Sequence, residues 1–135
     1  MTVPLGLDEY FAIAAEQLGV DSATVLLVSR VDLAESAINA PHAEFGGVEF
    51  YPQMATKVAV LISRLARNHP LPDANKRSAL VAGVMFARAN GYDWSPPPED
   101  KDDGDATVAV MLAVAEGSIT QDELAVWVAQ RLVSP

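Results

Sequence analysis

Apolar residues fall at helical spacing almost from one end of this 135-residue chain to the other, and proline, glycine and asparagine interrupt the pattern at intervals. Few folds are open to such a chain. Each amphipathic helix must bury one stripe, and without long strands to receive it the stripe has to pack on other helices. The pattern opens with Leu7, Tyr10, Phe11, Ala14 and Leu18 on one face, and Gly19 is placed to stop that helix. A second helix is predicted from about Ser22 to Asn39, capped by Asp21 or Ser22 and ended by Pro41, since the residue before a proline disfavours helical backbone. Pro52 and Asn68-His69-Pro70 bracket a third, from about Gln53 to Arg67, with Val58, Ile62 and Leu65 on one side. A fourth starts near Asn75 and carries Leu80, Val81, Val84, Met85 and Ala87 up to Asn90-Gly91, a good left-handed stop.

The second half repeats the logic. Asp93 to Asp105 holds Pro96-Pro97-Pro98 and a cluster of acids, which reads as a loop feeding an acidic helix start; a metal-ligand cluster is the alternative. Helix five then runs from about Asp105 to Ala115, ending near Gly117, and Thr120 with Glu123 forms a capping box that opens a sixth through Leu124, Trp127, Val128 and Leu132. The exception to helix is Glu44 to Tyr51, where Phe45, two glycines and alternating Val48 and Phe50 suit a short β-hairpin. It is either a loop clipped over the core by its aromatics or a flap whose edge pairs with an incoming extended segment. No repeat or linker divides the chain, so residues 1–135 are expected to form one all-α domain of about six helices with a short β-hairpin flap.

Composition narrows the setting. With no cysteine, there is no disulfide scaffold or thiolate metal site, which fits a reducing cytoplasm. No run approaches the roughly 18 apolar residues of a membrane span, and Met1-Thr2-Val3-Pro4 lacks the layout of a signal peptide. The expectation is a soluble cytoplasmic protein with no membrane association. A net charge of −9 argues against direct nucleic acid binding or an anionic lipid surface.

Against that acidic background stands His69-Pro70-Leu71-Pro72-Asp73-Ala74-Asn75-Lys76-Arg77. Between Lys57 and Arg88 lie six of the nine basic residues and one acid, Asp73, so this window carries +5 and the rest of the chain −14. A cationic pocket in an anionic body favours a small polyanion held at one place. The backbone N–H groups of Ala74, Asn75 and Lys76 would open a helix and converge on an anion site that a small Ala74 leaves approachable. Asp73, a lone carboxylate beside phosphates, suits Mg²⁺, which keeps most of its waters. His69 could take a proton from an attacking hydroxyl, and Lys76 and Arg77 would offset charge on the transferring group. Each residue also has a plainer reading: Asp73 as a helix N-cap, His69 as a loop residue bonded to backbone, the cations as solvated surface. His42 has no charged neighbour in sequence and reads as an ordinary loop residue.

These residues resemble the Fic-type motif H-x-F-x-D/E-G-N-G-R in the form found in death-on-curing (Doc) toxins, H-x-F-x-D-A/G-N-K-R, matched here by His69, Leu71, Asp73, Ala74, Asn75, Lys76 and Arg77. The resemblance extends over roughly residues 30–132, through Glu35-Ser36-Ala37, Phe45-Gly46-Gly47, Tyr51-Pro52, Ala89-Asn90-Gly91-Tyr92 and Val114-Ala115-Glu116-Gly117. It implies the compact Fic/Doc helical bundle and the toxin of a toxin–antitoxin pair. Relatives of Fic type transfer AMP from ATP to a protein hydroxyl, whereas Doc-type members transfer the γ-phosphoryl group to a threonine of elongation factor Tu and halt translation. By this resemblance Lys76 stands for the second motif glycine and takes up the room of an α-phosphate pocket, so the nucleotide is expected to bind in the reversed sense and present its γ-phosphate.

By this resemblance His69 is the base, Asp73 holds Mg²⁺, Asn75 orients phosphate or target, and Lys76 with Arg77 bind the phosphates of ATP. Phe45 to Tyr51 would dock the target's backbone. Leu71 stands where the family has Phe, a smaller apolar anchor, and Pro70 and Pro72 stiffen the loop around it. No Ser/Thr-x-x-x-Glu-Gly/Asn inhibitory motif occurs, so control is expected from a cognate antitoxin covering the site. The competing readings are an AMP transferase, against which Lys76 argues, and a catalytically silent module acting through its antitoxin complex.

Overall fold

Helix α4 (Met54–Asn68) is the axis of the molecule, because Val58 to Ile62 in its middle is apolar on every side. Lys57 through Ile62 are all buried, as are Leu65 and Ala66, so this helix must be surrounded by others. In the computed structural model, which describes residues 2–100 and 104–135, it is. Around it pack α3 (Val31–Asn39), α5 (Asn75–Ala89), α6 (Asp105–Glu116) and α7 (Gln121–Arg131), while α1 (Leu7–Leu18) lies across α5 and α2 (Ser22–Val28). One core joins them, with Tyr10, Phe11, Val25, Leu61, Leu65, Phe86, Leu124 and Val128 at its centre. No single helix among the described residues is long and apolar enough to cross a membrane.

The closest approach is between α4 and α5, and glycine permits it. A Cβ on Gly83 would sit 2.5 Å from Ile62 Cγ1 and 2.6 Å from Ile62 Cδ1, well inside contact distance. Helix ends follow the sequence where a local signal exists. Gly19 and Gly117 close α1 and α6 in the left-handed region, Asp21 accepts from the Thr24 amide, and Thr120 and Glu123 form a complete capping box.

Two expectations need correction. The helix predicted from Ser22 to Asn39 is two helices, broken at Ser29 and Arg30, whose ψ angles of 156° and 88° are not helical. No proline or glycine causes the break. The Arg30 N–H donates instead to the Pro70 carbonyl at 2.7 Å, a tertiary bond that a continuous helix could not make. The sixth predicted helix also ends one residue early. Leu132–Val133 (β4) leaves the helix to pair antiparallel with Asp93–Trp94 (β3), inside the stretch expected to be loop, and Trp94 packs edge-on to Trp127 there at 5.8 Å. The acids at 102–103, part of the alternative metal cluster, lie outside the described residues.

The hairpin forms as expected. Glu44–Phe45 (β1) pairs with Val48–Glu49 (β2) through Gly46 and Gly47, whose φ values of 60° and 80° suit a tight turn between twisted strands. Its aromatics do not clip it down, since Phe45 and Phe50 are 80% and 60% exposed. An ion pair does: Lys57, 1% exposed, reaches out of α4 to Glu49 Oε1 at 2.8 Å and donates to the Pro41 carbonyl at 3.3 Å. His42 completes this anchor, in the 3-10 turn Ala40–His42 that follows α3. It stands edge-on to Phe86 at 5.7 Å, with Nε2 buried and unpaired among the described residues.

Gly83→Ala tests the helix contact, because alanine in an open helix would stabilise; here it is expected to destabilise by about 1–3 kcal/mol in chemical denaturation. The anchor should respond to pH. Burial and then the Lys57 charge hold His42 below its usual 6.5, and the Lys57 hydrogen bond and charge hold Glu49 below its usual 4.5. Both folded groups resist protonation, so both contributions are complete above those values and are lost as pH falls through the depressed ones. The denaturation midpoint should therefore fall in two stages on acidification, starting near 6.5 and then near 4.5, and His42→Gln should remove the first stage alone.

Candidate functional site

The connection between α4 and α5 is six residues long and is built to hold an unfavourable shape. His69 ends α4 at φ 50° and Ala74 begins α5 at φ 62°, the two non-glycine residues with positive φ among those described. Left-handed backbone costs an L-residue roughly 1–2 kcal/mol, so two such residues flanking one loop require a compensating bond. Asn75 supplies it. Its carboxamide accepts from the Leu71 N–H at 3.0 Å and donates to the Leu71 carbonyl at 2.9 Å, closing the loop on itself. Leu71 is buried, pinning the loop to the core as the sequence anticipates.

The same Asn75 Nδ2 lies 3.5 Å from His69 Nδ1, a long contact at the edge of hydrogen bonding. The amide Nδ2 can only donate, so this contact favours the tautomer with its hydrogen on Nε2; accepting a proton at Nε2 requires the other tautomer, against which a 3.5 Å contact offers little resistance. His69 is itself exposed, open to a large reaction partner.

With Ala74 as N-cap, the first turn of α5 receives no side-chain cap. Asp73 was one candidate for that cap; its carboxylate does not serve there and remains exposed on the loop. The helix start thus leaves the N–H groups of Ala74, Asn75, Lys76 and Arg77 without intrahelical acceptors. They border a cavity of about 230 Å³ lined by His69, Pro72, Asp73, Ala74, Asn75, Lys76 and Arg77. All six residues singled out in the sequence therefore share one cavity, with a carboxylate, an imidazole, two cations and an open helix N-terminus. That set fits a polyphosphate with a magnesium ion: Asp73 offers oxygen, and the helix start and cations offer positive potential. A smaller apolar cleft of about 120 Å³ shares Lys76 and Arg77 and continues along Leu80, Thr107, Val108 and Met111.

The wider cationic window disperses. Lys57 holds the hairpin, Arg88 faces Asp93 at 3.6 Å, and Arg64 and Arg67 line a different, polar hollow with Ser63, Asn68 and Gln121. Of the six bases, Lys76 and Arg77 alone line the cavity. Sequence reasoning missed His42 and Arg30, which act on the hairpin and the loop through contacts far along the chain.

Residues 5–87, which span the hairpin and the whole loop, match the Fic/DOC family, and the chain belongs to it. It is also 42% identical over 66 residues to the toxin Doc of Mycolicibacterium smegmatis (strain ATCC 700084 / mc(2)155). That alignment takes in 49% of this chain and 51% of the relative, so the chain matches about half the relative's length.

Asn75→Ala would strand the Leu71 N–H and carbonyl in a buried loop. Denaturation should report a loss of about 2 kcal/mol, more than an exposed asparagine would cost.

Proposed function

We propose that the chain is a Doc-type toxin, a protein serine/threonine kinase that moves the γ-phosphoryl group of ATP to a hydroxyl of a translation factor, elongation factor Tu being the expected target. The observation that carries this reading is Lys76 on the cavity wall beside an uncapped helix start. A lysine where a glycine would leave space for an α-phosphate favours a nucleotide that offers its far end instead. The family membership and the likeness to a toxin Doc support the same reading.

In this reading His69 Nε2 takes the proton of the target hydroxyl as that oxygen forms its bond to the γ-phosphorus and the bond to the β,γ-bridging oxygen breaks. The proton rests on the imidazole, and ADP leaves with the bridging oxygen. The N–H groups of Ala74 through Arg77 hold the phosphates, and Lys76 and Arg77 offset the charge passing to the leaving group. Asp73 would hold Mg²⁺, which when bound neutralises phosphate charge. Asn75 contributes by fixing the loop, so that His69 and the helix start face one point. The hairpin at Phe45 to Tyr51, exposed and tethered at Glu49, offers the edge on which an extended target segment can lie. A cognate antitoxin would silence the protein by covering this cavity.

Incubating the chain with purified elongation factor Tu, Mg²⁺ and labelled ATP tests the proposal. Transfer of γ-label without α-label is expected, and His69→Ala should reduce it by about a hundredfold or more at unchanged stability. Transfer of α-label would make the protein an AMP transferase. Undiminished toxicity of His69→Ala would sink both enzymatic readings.

A further inference from the structure

The break between α2 and α3 has no local cause. Ser22 to Asn39 contains no proline or glycine, and its apolar spacing would support one helix. Interrupting that helix at Ser29 and Arg30 forfeits intrahelical hydrogen bonds, since α3 begins anew from the Arg30 carbonyl, which accepts from Leu33 and Ala34. The break lets α2 pack on α1, and it frees one main-chain contact: the Arg30 N–H reaches the carbonyl of Pro70 at 2.7 Å. Pro70 is buried and has no N–H, so its carbonyl is its one main-chain hydrogen-bonding group. It directly follows His69, which is held at φ 50°.

We infer that Arg30 is a positioning residue for His69: its backbone N–H braces the loop from the α2–α3 side while Asn75 braces it from α5. The inference rests on His69 as the base of the proposed reaction. The two braces meet on one peptide unit, Arg30 at its Pro70 carbonyl and Asn75 at its Leu71 N–H, and Asn75 also holds the Leu71 carbonyl of the next. With both in place, the backbone that carries His69 is held relative to the start of α5 from its C-terminal side. The Arg30 side chain is exposed and takes no part, so its loss should be silent.

Arg30→Pro tests this, because proline deletes the N–H at a position outside the helix's own hydrogen bonds and follows an extended Ser29. Arg30→Ala, which keeps the N–H, is the control. Two readouts are needed. Hydrogen exchange of the Leu71 amide should quicken about tenfold in Arg30→Pro relative to Arg30→Ala, the size of one lost hydrogen bond, with global stability near the control's. In the transfer assay, kcat should fall with the same variant while KM for ATP stays put, since the phosphate-binding N–H groups of α5 are untouched. Equal Leu71 exchange in the two variants would overturn the brace. So would equal kcat in an active enzyme, and a brace seen by exchange in an inactive protein would refute the kinase proposal instead. Should the proline variant unfold, replacing the Ser29–Arg30 amide by an ester removes the same N–H without the ring, and the same two results decide.

Discussion

The two hydrogen bonds between the Asn75 carboxamide and the Leu71 peptide hold the rest of the site in place. Without them nothing local would keep His69 and Ala74 in left-handed backbone, and the chain would relax the loop between its two most closely packed helices. That loop and the first turn of α5 carry every group of the proposed chemistry. Buried α4 and α5, locked together at Gly83, make its two ends rigid, and Asn75 with Leu71 makes its middle rigid. The proposed phosphate site, built this way, would be ready before any ligand arrives, and little binding energy would be lost to ordering it.

Charge follows the same economy. A net charge of −9 with a basic central window suggests a broad cationic face, but folding separates the bases. Lys57 is buried against Glu49, where it ties the hairpin to α4, Arg88 faces Asp93, and Arg64 and Arg67 line a separate hollow. Lys76 and Arg77 are left at the helix start, where their charge adds to the positive end of the α5 dipole. Local placement, and not the sum over the window, sets the potential of the cavity.

Helices that carry their own boundary signals were legible in the sequence: Gly19, the Thr120 capping box and the Gly46-Gly47 turn all stand where their residue types demand. The motif residues were legible as a group because they are contiguous and open a helix. What stayed hidden depends on distant partners. The α2–α3 break answers to Pro70, β4 answers to β3, and His42 gains Lys57 and Glu49 as neighbours by folding alone. The cap at Ala74 was hidden for another reason: alanine seldom adopts left-handed backbone, and the Asn75 bonds that close the loop beside it do not show in the sequence.

The central claim is that the loop from His69 to Arg77 is a preformed polyphosphate site whose anion contacts come from the start of α5. Titrating the ¹⁵N-labelled chain with tripolyphosphate and following its backbone amides tests this most directly. The expected result is a saturable shift centred on Ala74, Asn75, Lys76 and Arg77, with the Leu71 amide still protected. Shifts centred instead on Arg64 and Arg67, or no saturable response at the start of α5, would contradict the account.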